Sequence, residues 1–220
     1  MKKKRLLIAL IMLLLLSTYS IQDHSFFSSK FNIKKIIIQN NLIIENEIVE
    51  KKLSYLYDEN ILFLDRKNLE IKLKEIDFIE SFKIKKIYPD KLIIKIFEKK
   101  PIAILQNKKE KNYYTEKGEI INFSELEMYK NLPIVFGDKD NFKVFYFKLN
   151  KIKFPIETIK TFYFFDSRRW DIETISNQLI KLPTENYEKS LKNFLSLKDR
   201  NNFYKYKVFD YRIQDQLILK

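Results

Sequence analysis

The sequence predicts an α+β chain, two small domains behind a short apolar N-terminal segment. Three observations carry that prediction. A chain of 220 residues with 45% hydrophobic and 15% aromatic positions has the means to build cores. Hydrophobic spacing alternates between period two and period 3.6 along the chain. An unbroken apolar run directly follows a basic start.

Lys2, Lys3, Lys4 and Arg5 precede the first acidic residue, so residues 1–5 form a basic flank. Leu6 to Leu16 is wholly apolar, and Ser17 to Ile21 extends the run with small and interfacial residues. The sixteen positions from Leu6 to Ile21 fall short of the roughly 20 that span a bilayer with ease. Two readings stay open on the residues alone. One is a signal-peptide core cut near Thr18 or Ser20. The other is an uncleaved single-pass anchor over 6–22, its lysines snorkelling at the inner end. Both deliver the rest of the chain to the far side of the inner membrane, because the basic end stays in the cytoplasm.

Composition removes most enzyme classes. Gly118 and Gly137 are the only glycines, so no phosphate cradle or dinucleotide fingerprint is present. Zero cysteine excludes thiolate nucleophiles, disulfides and sulfur-ligated metals. The single histidine, His24, sits in the tether after the apolar run, away from any folded cleft that a triad or zinc site needs. No cofactor, metal or small-molecule substrate is expected. The net charge of +13 invites a nucleic-acid reading. Setting aside the four cations at 2–5, however, leaves 38 basic residues against 29 acidic ones, spread through almost every segment. No basic stripe forms on one element, and no nucleic-acid partner is expected.

The first domain, 31–100, reads as β-α-α-β-β. Phe31 to Gln39 is rich in β-branched residues and ends at the turn signal Asn40-Asn41. From Glu45, Val49, Leu53 and Leu56 fall at helical spacing, and Leu69, Leu73 and Ile76 repeat it behind Asp65, the expected N-cap. Phe78 to Tyr88 and Lys91 to Glu98 then form strands around Pro89-Asp90, with Leu92, Ile94 and Ile96 on one face.

The second domain, 101–220, reads as mainly antiparallel β structure with a C-terminal amphipathic helix and a final strand. Asn112 to Ile121 makes a hairpin, and Phe142, Phe145, Tyr146, Leu149 and Ile152 suit a helix capped by Asp140. Thr158–Phe165, Arg168–Ile175 and Leu179–Leu182 read as strands, with turns at Asp166-Ser167 and Asn177. Pro183-Thr184 opens a helix carrying the stripe Tyr187, Leu191, Phe194, Leu195. Glu185 and Glu188 stand near its start and Lys198 and Arg200 near its end. Tyr204 to Arg212 is a strand, Gln214-Asp215-Gln216 breaks the pattern, and Leu217 to Leu219 closes the chain.

Several segments, in order, resemble the bacterial cell-division family FtsQ/DivIB. Ile61-Leu-Phe-Leu-Asp65 looks like its N-L-F-x-L-D step, Lys86 to Leu92 like R-x-x-P-x-T-L, and Phe97 to Ala103 like x-E-R-x-P-x-A. Asn112 to Ile121 is similar to its L-V-D-x-x-G-x-V hairpin and Asn131 to Gly137 to L-P-x-V-x-G. Arg168 to Asp171 resembles R-R-W-D-L, and Phe209 to Arg212 resembles V-D-L-R. The chain departs from the pattern at Asp77 for proline, Phe78 for tryptophan, and Asn40 for the glycine that ends the first strand.

The resemblance implies a POTRA domain followed by a β-domain. It also implies a type II single-pass protein of the inner membrane with its bulk in the periplasm at the septum. The implied role is that of a scaffold, not an enzyme. Implied partners are the single-pass coiled-coil proteins FtsB and FtsL, with further divisome members on the POTRA domain. Rival classes are an anchored envelope enzyme using paired carboxylates, for which no template is visible, and other POTRA-containing assembly or secretion proteins.

A scaffold binds well through a sheet edge that a partner extends. The final segment is the expected site, because nothing follows it to cover its edge and its alternation fails after Ile213. Arg168, Arg169, Arg212, Ile213, Gln214, Asp215, Gln216 and Leu217 are the candidate contacts. The arginines offer forked donors to carboxylates, those of a partner or the domain's own Asp166, Asp171 and Asp210. Trp170 reads as a core anchor.

Overall fold

The basic flank and the leucine-rich run wind into one helix, α1 (Lys2–Ser17), of 16 residues. At about 1.5 Å per residue it is roughly 24 Å long, short of the ~30 Å hydrocarbon thickness. Among the described residues no helix is long and apolar enough to cross a membrane. The computed structural model describes residues 2–17, 29–108, 110–198, 203–214 and 216–220. Positions 18–22 of the expected anchor, His24, Arg200 and Asp215 therefore lie outside the described residues. The chain divides into two units between Glu98 and Lys99.

The first unit runs β1 (Lys35–Gln39), α2 (Asn46–Lys52), α3 (Arg66–Lys74), β2 (Ile79–Ile87) and β3 (Lys91–Glu98), with single 3-10 turns at Ser54–Asp58 and Ile61–Phe63. The sheet order is β1-β3-β2, with β1 parallel and β2 antiparallel to β3. Val49, Leu53, Leu56, Leu69 and Leu73 pack on Leu92, Ile94 and Ile96, all completely buried. That is the core which the two spacings predict.

Local chemistry sets the boundaries. Asp65 caps α3, accepting from the N–H groups of Lys67 and Asn68 at 2.9 and 3.2 Å. The first strand starts at Lys35, later than its composition suggests. Ile33 N–H donates to the Glu59 carbonyl and Lys34 N–H to the Asp90 carbonyl, so loops occupy the backbone groups that pairing with β3 requires. Asn40 takes a left-handed conformation (φ 66°), and its side-chain amide donates to the Ile96 carbonyl at 2.8 Å. Asparagine thus fills the place of glycine, because its short polar side chain tolerates this region and finds a local partner.

The second unit is a nine-stranded sheet. Its strands are β4 (Pro101–Gln106), β5 (Lys111–Thr115), β6 (Ile120–Asn122), β7 (Ile134–Phe136), β8 (Ile159–Phe164), β9 (Trp170–Thr174), β10 (Leu179–Lys181), β11 (Val208–Asp210) and β12 (Ile218–Leu219). The order is β12-β11-β10-β9-β8-β7-β4-β5-β6. Five of the eight pairings are antiparallel, and β4–β7, β7–β8 and β10–β11 are parallel. Helices α4 (Lys139–Lys151) and α5 (Tyr187–Leu197) bury Phe142, Phe145, Leu149, Leu191 and Phe194 on one sheet face. Trp170 stacks on Phe145 at 4.6 Å and is buried, as a core anchor should be. Gly137 lies beneath it: a Cβ there would stand 2.9 Å from that of Phe164 and 3.3 Å from the Trp170 ring.

Three expectations are corrected here. Asp138, not Asp140, caps α4, accepting from the N–H groups of Asp140 and Asn141 at 3.0 and 2.9 Å. Helix α5 begins at Tyr187 instead of Thr184, because Asn186 is left-handed (φ 55°) and breaks the helical path, leaving Glu185 outside. The strand expected over Tyr204–Arg212 shrinks to Val208–Asp210. Phe203 is drawn into the core against Phe194 and Phe209, at 5.2 and 5.1 Å, and the chain coils into a 3-10 turn over 203–205.

Candidate functional site

Alternation across the middle of the large sheet sorts two rows of side chains. Phe162, Ile172, Ile180 and Phe209, in register over four strands, face the helices. One residue along, Tyr163, Asp171, Lys181, Asp210 and Ile218 form the opposite row. A charged ladder of Asp171, Lys181 and Asp210 therefore crosses β9, β10 and β11, with Ile218 beside it on the outermost strand.

Two of the candidate arginines close on this ladder. Arg212 donates from Nε to Asp210 Oδ1 at 2.9 Å and from Nη2 to Oδ2 at 2.7 Å, while its own N–H bonds Oδ1 at 3.1 Å. Hydrogen bonding from Arg212, with Lys181 adding to it, holds the Asp210 carboxyl below the usual carboxylate range. Arg169 Nε donates to Asp171 Oδ1 at 3.1 Å, and its guanidinium lies 4.4 Å over the Phe165 ring. Burial nevertheless pushes the Asp171 carboxyl up, outweighing Arg169 and Lys181. Both arginines thus meet their own domain's carboxylates. Arg168 does not: it stands exposed at the β8–β9 turn in a left-handed conformation (φ 59°), and among the described residues no ion pair holds it.

The tail departs from the expected picture. After β11, Tyr211 is buried, its N–H donating to the Lys181 carbonyl and its hydroxyl to Asn193 Oδ1 at 3.0 Å; burial pushes that hydroxyl well up. Ile213, Gln214 and Gln216 are exposed around a turn, and Leu217 is half-buried against the core. The chain then returns as β12, antiparallel to β11. The edge of the Val208–Asp210 strand is therefore covered, and the outer position passes to Ile218 and Leu219, 38% and 37% exposed.

Val208 and Lys220 exchange N–H···O=C bonds at 3.0 and 3.1 Å. In an antiparallel ladder this turns the N–H and C=O of the intervening Leu219 to the outside. Sequence reasoning took in the segment from Tyr211 to Leu219 without singling out Leu219, and missed the Asp171–Lys181–Asp210 ladder. Alternation in each strand marks those charges as one face, but their alignment needs the register.

The structure does bring the described candidates to one place. β9 starts where β10 and β11 finish, so the 165–169 turn, Arg212–Gln214 and Gln216–Leu217 share one end of the sheet. Two strand spacings, about 10 Å, separate the strands of Arg169 and Arg212.

Comparison with known proteins agrees with this architecture in both units. The FtsQ-type POTRA domain matches residues 31–99, and the C-terminal domain of the cell division protein FtsQ/DivIB matches 103–212. The cell division protein FtsQ of Rickettsia typhi is 26% identical over 194 residues, covering 86% of this chain and 73% of its own length. That of Rickettsia bellii is 27% identical over 196 residues, covering 86% and 72%. That of Caulobacter vibrioides is 21% identical over 172 residues, covering 77% and 57%. With a POTRA unit, a β-domain with a row of arginine-bound aspartates, and both family profiles in order along its length, the chain belongs to the FtsQ/DivIB family of bacterial cell-division proteins.

Proposed function

We propose that the chain is a scaffold of the division septum, held in the inner membrane by its N-terminal segment with both units in the periplasm. On this reading it captures FtsB- and FtsL-like single-pass coiled-coil proteins at the β12 edge. Further divisome members meet the POTRA unit. The task is binding, not catalysis.

The outer edge of β12 carries the proposal. Leu219 offers an outward N–H and C=O, and an extended partner segment adds to such an edge by backbone hydrogen bonds. The Arg168 turn and the described loop residues Arg212, Ile213, Gln214, Gln216 and Leu217 stand at the same end of the sheet and supply side-chain recognition, to which the sequence adds Asp215 as a candidate. With Arg169 and Arg212 satisfied internally, Arg168 is, among the described candidate arginines, the one left for an acidic partner, and the others order the platform.

Leu219→Pro tests this. It removes the outward donor while leaving the Val208–Lys220 pair intact, since the lost N–H takes no part in it. Loss of FtsB/FtsL capture by the membrane-embedded protein, with an unchanged circular dichroism spectrum, is the expected result. Full capture by Leu219→Pro and by Arg168→Glu together moves the interface away from this edge.

A further inference from the structure

We infer that the end of the first unit nearest the N-terminal segment is a lipid-binding foot, in which Leu62, Phe63 and Tyr88 enter the headgroup layer of an anionic bilayer. The inference rests on the anchored reading above and adds a second membrane contact to it.

The residues concerned are unusually exposed for their type. Phe63 is 84% exposed, Tyr88 57% and Leu62 46%. They belong to separate segments that the fold draws together at one end of the three-stranded sheet. Ile61 N–H donates to the Phe31 carbonyl at 2.8 Å, and Lys86 Nζ to the Leu62 carbonyl at 3.4 Å. The Phe31 and Tyr88 rings meet edge to face at 6.5 Å. Phe63 is held outward by construction: Asn60 caps the 3-10 turn through the Leu62 N–H at 2.9 Å, and Ile61 and Leu64 on either side are buried.

Chain geometry supplies the occupant. Phe31 follows the predicted end of the anchor, Gln22, by nine residues. Fully extended, nine residues reach roughly 30 Å, so this end of the unit cannot leave the neighbourhood of the bilayer surface. The opposite end of the sheet, where β1 runs out into Leu42, is under no such constraint. Confinement of this kind makes weak contacts effective, because the patch meets the surface at high local concentration.

Charge points the same way. Lys34, Arg66, Lys67, Lys86 and Lys91 flank the patch, against Glu59, Asp65 and Asp90 among the described residues, and the Asp65 carboxylate is committed to its cap. Aromatic rings at headgroup depth with lysines around them match the interface of an anionic leaflet.

The absence of cysteine makes the test direct. Full-length protein carrying Lys67→Cys, Leu42→Cys or Leu10→Cys is labelled with bimane and reconstituted in phosphatidylglycerol or phosphatidylcholine vesicles containing brominated lipid. Quenching at position 10 reports the anchor. The foot predicts quenching at 67 but not at 42, stronger in phosphatidylglycerol, weakened by high salt, and lost when Phe63→Glu is added. Quenching at 10 with none at 67 overturns the foot and leaves the anchor standing; no quenching at 10 removes both. If position 67 stays in water in these vesicles yet is shielded from maleimide in native membranes, the patch belongs to a protein partner and the lipid proposal fails. Phe63→Glu alters an exposed side chain, and its circular dichroism spectrum should match the parent.

Discussion

Replacing Glu98 removes the centre of a small carboxylate nest. Glu98 ends β3, and its carboxylate accepts from three consecutive backbone donors: Leu42 N–H at 3.1 Å, Ile43 N–H at 2.9 Å and Ile44 N–H at 2.8 Å. These bonds fold the 41–45 loop over the sheet and fix where α2 begins. A hydrogen bond to a charged group contributes ~1.5–3 kcal/mol. The Leu42 donor sits at an exposed position and can turn to water, whereas Ile43 is half-buried and Ile44 buried. Two such bonds lost give roughly 3 kcal/mol for Glu98→Ala. That is a third or more of what a unit of this size holds, at ~0.05–0.15 kcal/mol per residue.

Native-state hydrogen exchange at the amides of residues 42–44 reads this directly. A cost near 3 kcal/mol corresponds to about a hundredfold loss of protection. Glu98→Gln should fall between, since one oxygen is kept and the amide NH2 faces donors. Unchanged exchange at all three amides in a folded Glu98→Ala protein would refute the nest as the loop's fastening.

Further expectations follow from burial and charge. Leu73, fully buried on α3, should cost ~2–5 kcal/mol on truncation to alanine. Lys72→Ala, half-buried and paired with the exposed Glu75, should change a denaturant melt by less than about 0.5 kcal/mol. Equal effects would show the helix to be out of phase. Gly137→Ala should destabilise the second unit, because the new methyl meets the Phe164 Cβ and the Trp170 ring; near-ultraviolet circular dichroism of the single tryptophan reports it. Because Arg212 lowers the folded pKa of Asp210, the pair's contribution is complete above the ordinary aspartate pKa of about 4 and fades as pH falls through the lower folded value. Acid melts of the parent should thus lose, below about pH 4, a stabilisation that Asp210→Asn lacks throughout. Asp171 acts with the opposite sign, its burial favouring the protonated form, so Asp171→Asn, which keeps the Arg212–Asp210 pair, should retain that acid loss.

The sequence by itself determined what depends on neighbours in the chain. The 3.6-residue spacing of Val49, Leu53 and Leu56 and of Leu69 and Leu73, the Asp65 cap, and the alternation of Leu92, Ile94 and Ile96 are local signals, and each reappears as packed structure. So does the ordered run of family segments, since a motif is a local pattern. Where competing contacts come from far along the chain, the local reading stops short. Ile33 and Lys34 spend their N–H groups on Glu59 and Asp90, and Phe31 and Asn32 lie in a turn and an isolated bridge, so the strand begins late. β4 reads only as a motif, yet it sits mid-sheet between β5 and β7.

The candidate site shows the same division. Arg169 and Arg212 each lie two residues from the aspartate they bind, so their internal pairing was within reach of the sequence. The Asp171–Lys181–Asp210 row was not, because strand register joins residues 10 and 29 positions apart. The outer edge was the sharpest case. The return of the chain as β12 rests on two short hydrogen-bonded pairs against β11, and a two-residue strand carries too little alternation to announce itself. Only the tertiary pairing decides that Leu219, and not the Val208–Asp210 strand, turns its backbone outward.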